Sequence, residues 1–77
     1  MENLYARIEI NSSIMLGKPV IKGTRITVES ILDELASGYT VQEVIKAHPT
    51  LNDKDVFAAL QYASSIVKNE KIYIAAS

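Results

Sequence analysis

Apolar and polar positions follow two regimes along the chain, and the switch comes near Thr27. Leu4, Ala6, Ile8 and Ile10 alternate with Tyr5, Arg7 and Glu9. A period of two predicts a strand over residues 4–10 with one buried face. Asn11-Ser12-Ser13 closes it as a polar turn. Ile14-Met15-Leu16 is an apolar patch too short to classify. Residues 19–26 carry the β-branched Val20, Ile21 and Ile26 and predict a small hairpin turning at Lys22-Gly23. Strands this short need a neighbour, and residues 4–10 are the nearest one.

Beyond Thr27 the period becomes helical. Val28, Ile31, Leu32 and Leu35 fall at i, i+3, i+4 and i+7, with Thr27 as N-cap, Glu29 in the first turn and Gly38 as the stop. A second helix starts at a T-x-x-E capping box, Thr40 and Glu43, with Tyr39 placed to staple onto Val44. Val41, Val44 and Ile45 form its buried face, and His48-Pro49 ends it. A third starts at Asn52, with Asp53 and Asp55 in its first turn, Leu51 placed to staple onto Val56, and an end near Lys68-Asn69. Val56, Ala59, Leu60, Ala63 and Val67 mark one face; Phe57, Tyr62 and Ile66 widen it and predict burial on two sides. Ile72-Tyr73-Ile74 is a β-prone tail suited to pairing with a sheet edge or a partner.

The fold class that follows is α+β, mainly α. An N-terminal strand and short hairpin precede a three-helix, helix-turn-helix-like core, homeodomain-like or winged-helix-like in kind. One domain over residues 1–77 divides into a β-rich arm (1–26), the helical core (27–69) and a tail (70–77). A chain of 77 residues without cysteine has no disulfide or thiolate metal site to staple it and buries only about 60% of its unfolded surface. Burial in a partner is therefore expected, with a homodimer through the alternating N-terminal strand as the first expectation. A formal charge of −1 gives no global attraction to nucleic acid or anionic lipid. No apolar run nears the roughly 20 residues of a membrane span. The start Met1-Glu2-Asn3 lacks the basic and apolar regions of a signal peptide, so a cytoplasmic protein is the expectation.

Candidate chemistry is sparse. His48 before Pro49 reads as a helix-end residue that favours the dipole. Nothing pairs Ser12, Ser13, Ser64 or Ser65 with a base, as nucleophilic catalysis requires. Glu29 and Asp33 stand at i and i+4 and could share a cation, but with Glu34 they read as a solvated face. Gly17-Lys18 is not a phosphate loop, because Pro19 follows and no helix opens there. Neither catalysis, a cofactor nor a metal is expected.

Binding is easier to argue. Lys18, Lys22 and Arg25 place three cations on a stretch without acids, suited to phosphate or to plain solubility. If the third helix entered a major groove, Asn52, Asp53, Lys54, Asp55 and Gln61 would face the bases. Two acids there repel phosphate, which leaves Lys54 as the one favourable contact of that turn.

Four segments then carry a resemblance: Gly17-Lys18-Pro19-Val20-Ile21-Lys22-Gly23-Thr24-Arg25-Ile26, Ser37-Gly38-Tyr39, Pro49-Thr50-Leu51, and Val56-x-x-Ala59-Leu60-x-Tyr62-Ala63. In this order and spacing, over roughly two-thirds of the chain, they resemble a small prokaryotic family known as domain of unknown function 433. The resemblance implies a homeodomain-like helical core with N-terminal strands, often dimeric. It also implies an antitoxin in a type II toxin–antitoxin pair, neutralising a PIN-like ribonuclease toxin and binding operator DNA as a dimer. Toxins of that class hold a metal among carboxylates, which an inserted Arg25 or Arg7 could block, with Ile72, Tyr73 and Ile74 as a further contact. A stand-alone DNA-binding regulator, touching double-stranded DNA through Lys18, Lys22, Arg25 and Lys54, is the alternative.

Overall fold

The computed structural model describes residues 4–69. The tail contact expected of Ile72, Tyr73 and Ile74 lies outside them. The order is a 3-10 turn Leu4–Arg7, β1 (Ile8–Glu9), a second 3-10 turn Met15–Gly17, β2 (Val20–Ile21), α1 (Val28–Ala36), α2 (Val41–Ala47) and α3 (Asp53–Asn69). The expected mixture, mainly helical with a small antiparallel sheet at the N-terminus, is what the chain forms.

The strand expected over residues 4–10 is a correction. Only Ile8–Glu9 is extended, paired antiparallel with β2 in the register Ile8↔Ile21 and Glu9↔Val20. The alternation implied a long ladder, but β2 is two residues long and supplies no partner for residues 4–7. Those residues form a 3-10 turn packed on α3, and the Arg7 carbonyl accepts from the Lys22 N–H, just past β2, at 2.7 Å.

The expected turn at Lys22-Gly23 is present. Gly23 has φ 83, and the Thr24 N–H donates to the Ile21 carbonyl at 2.9 Å. Thr24 locks the corner a second time: its hydroxyl donates to the same carbonyl (2.7 Å) and accepts from the Ile26 N–H (3.0 Å). The returning arm is no full strand, since it contributes one bridge, Val20↔Thr27, before α1 begins. Thr27 ends that bridge and caps α1, its Oγ1 accepting from the Ser30 N–H at 3.0 Å.

All three helix starts carry the expected caps. Thr40 and Glu43 form the reciprocal box on α2. On α3 Asn52 accepts from the Asp55 N–H (3.1 Å), and Asp55 accepts from the Asn52 N–H (3.0 Å). Gly38, at φ 103, stops α1 as expected: its N–H donates to Leu35 and the Tyr39 N–H to Glu34, a Schellman pair.

The core gathers Ile21 from β2, Val28 and Ile31 from α1, Val44 from α2, Leu51 from the α2–α3 link, and Val56 and Ala59 from α3. Ile8, Ile26, Leu32, Leu35, Val41, Ile45 and Tyr62 pack around it. The expected burial of α3 on two sides is a second correction. Phe57, Leu60, Ile66 and Val67 are exposed, Val67 by 72%, while Ala58 is fully buried. Small Ala58 and Ala59 let the rest of the fold approach α3 closely on that side; the larger side chains are left outside. No helix among the described residues is long and apolar enough to cross a membrane.

Candidate binding surface

Charges come first, because they separate framework from surface. Arg7, at the end of the 3-10 turn, donates from Nη1 to Asp55 Oδ1 at 3.0 Å. Asp55 is only 7% exposed. It therefore caps α3 with one oxygen and ties the N-terminal turn to α3 with the other. The sequence placed Asp55 on an exposed DNA-facing turn; burial corrects that. The signal was its third position after the Asn52 cap, where an acid reaches back to the cap N–H.

Glu34 departs from the expected solvated face in the same way. It is half-buried on α1, and its Oε2 meets His48 Nε2 at 2.8 Å. Facing a carboxylate oxygen, that ring nitrogen is the donor. His48 is thus the C-cap of α2 and a cross-link between α1 and α2. Gln61, also expected to be exposed, is half-buried with Oε1 out of solvent. The described residues hold no cluster of three or more His, Cys, Asp or Glu able to take a metal.

The basic trio is not one free patch. Lys18 Nζ lies 2.9 Å from Glu29 Oε1 at the surface. Lys22 and Arg25 are exposed on the locked turn, without an ion-pair partner among the described residues. Lys54 is exposed in the first turn of α3, with Asp53 and Asp55 on either side in the chain.

A second surface has no counterpart in the sequence reading. An apolar groove of about 360 Å³ lies between α1 and the C-terminal half of α3. Pro19, Leu32, Tyr62, Ala63, Ile66 and Val67 line it, and the acids Glu29 and Asp33 flank it on α1. The signal was an excess of apolar positions: α3 carries more than one core stripe can bury. A third feature stands before the groove. Met15 and Leu16 have φ 49 and 59, and Leu16 is 93% exposed.

Comparison with known proteins fits this architecture. An uncharacterized protein of Sinorhizobium fredii, y4eO, is 32% identical over 68 residues, which are 84% of this chain and 31% of that protein. The chain thus spans about a third of that relative's length. The crystal structure of a DUF433 member from Anabaena variabilis superposes with a TM-score of 0.76 at 25% identity, covering 82% of this chain and 62% of that one. The profile of the family described as protein of unknown function (DUF433) matches residues 8–63, from β1 into α3 and including every core element, and the chain belongs to that family.

Proposed function

We propose that this domain works by binding protein, as the antitoxin of a type II pair that neutralises a PIN-like ribonuclease. The observation that carries the reading is Arg25. It stands exposed on a turn fixed by Gly23 and the two Thr24 hydrogen bonds, with its fork uncommitted among the described residues. An unpaired guanidinium carried on a fixed turn is suited to a carboxylate-lined metal site, which it can pair bidentately. Arg7 is less suited, because Asp55 already holds it. The test is co-expression with a PIN-like ribonuclease toxin. Arg25→Ala keeps its melting temperature yet stops inhibiting, and Arg25→Lys also fails, since a point charge does not reproduce the fork. Full inhibition by folded Arg25→Ala overturns the assignment.

A DNA-binding regulator is the second reading, favoured by Lys22 and Arg25 standing exposed on one turn. Asp53 in the exposed first turn of α3 weighs against that helix entering the major groove.

A further inference from the structure

Met15, Leu16 and Gly17 hold three successive left-handed backbones, with φ 49, 59 and 81. Glycine enters that region freely; methionine and leucine do not. Such a pair persists only where its surroundings over-determine it, and stored strain of this kind gathers at recognition segments. Here the Gly17 N–H donates to the Ile14 carbonyl and the Lys18 N–H to Met15, at 3.0 and 3.1 Å. The result is a projecting leucine, 93% exposed, from which a lone folded copy gains no burial. Pro19, a wall of the apolar groove, follows Leu16 by three residues, so their Cα atoms are at most about 11 Å apart.

We propose that knob and groove are the two halves of one contact between copies of this chain. Leu16 of each copy seats in the groove of the other, between Tyr62 and Ala63 on α3 and Leu32 on α1. Because the knob and the groove wall are neighbours on one surface, a two-fold axis between them closes both contacts at once and leaves neither open for further growth. The groove, at about 360 Å³, has room for a leucine side chain with Met15 at its entrance. Charge agrees with shape. Lys22 stands exposed on the turn that follows the knob and Asp33 flanks the groove, while Lys18 and Glu29 already answer each other within one copy. The Asp33 carboxylate has no ion-pair partner among the described residues, and Lys22 of a second copy supplies a cation. β1, two residues long, offers no comparable edge, so the pairing surface moves from the N-terminal strand to this contact.

Light scattering on the full chain tests the pairing. Wild type weighs twice the chain mass at micromolar concentration. Leu16→Asp and Ile66→Glu, both at exposed positions, keep their helical signal but become monomers, with association weakened at least about a hundredfold. Mixing the two variants does not restore the wild-type dimer, since one contact keeps an intact Leu16 in an intact groove while the other carries both substitutions. Two results overturn the proposal: a wild-type monomer at 100-fold higher concentration, about 100 μM, or a dimer that survives either substitution. A monomer in which Ile66→Glu shifts the resonances of residues 70–77 assigns the groove to the chain's own tail instead.

Discussion

Leu16 is the residue where local energetics and surface exposure disagree most. Its left-handed backbone costs an L-residue about 1–2 kcal/mol, and with 93% of it exposed little packing offsets that cost. Leu16→Gly should therefore stabilise the isolated fold by about 1 kcal/mol, which in a domain of this size raises Tm by about 4–8 °C. Thermal unfolding at a concentration too low for association measures it. A drop in Tm would mean that the side chain packs within its own copy. No sequence rule flagged this position, because periodicity and propensity describe φ < 0 backbones. Arg25 is the opposite case. Its exposure on a turn was legible from Lys22-Gly23 and the acid-free stretch around it, since glycine at that corner meets the positive φ the turn demands.

At the scale of elements, the helices were legible and the N-terminal arm was not. Caps are local chemistry: Thr27, Thr40 and Asn52 each satisfy N–H groups within three residues, so their effect is written in adjacent letters. Residues 4–7 are decided by a contact across the chain, Arg7 to Asp55, 48 positions apart. Alternation in residues 4–10 could not report that, and the tertiary contact overrides the strand pattern. Asp55 is thus a joint between elements as well as a cap. Asp55→Ala removes the back-bond to Asn52 and leaves Arg7 without this carboxylate, at an expected cost of about 2–4 kcal/mol in urea unfolding. Thr40→Ala, which loses an exposed cap alone, should cost about 1 kcal/mol. Arg7→Met combined with Asp55→Ala should cost clearly less than the sum of the singles, because the two side chains share one interaction. Strict additivity would show that the ion pair contributes nothing and that Asp55 acts as a cap only.

For the whole molecule, charge limits how it can meet DNA. The net charge of −1 supplies no long-range pull, so phosphate affinity must come from individual cations. Arg7 is held by Asp55, and Lys18 is answered by Glu29. Lys54 sits between Asp53 and Asp55 in the chain. Lys46 and Lys68 are exposed singly on α2 and α3, so Lys22 and Arg25 are the cations that stand together as one patch, two per copy. Each neutralised phosphate contributes about 0.9 to the slope of log affinity against log salt, so a protein paired two-fold should show a slope no steeper than about −4. Changing Lys22 and Arg25 together to Ala should bring it close to zero while the melting curve stays in place. A slope near −8 would require contacts from residues outside this patch and would revive α3 as a groove reader. A shallow slope sets a low ceiling on non-specific affinity. On the proposed antitoxin reading, operator binding then depends on pairing to bring two turns onto one duplex, and Leu16→Asp should abolish it while leaving the proposed Arg25-dependent inhibition intact. Loss of both activities together in Leu16→Asp would mean that the toxin, too, is met only by the pair.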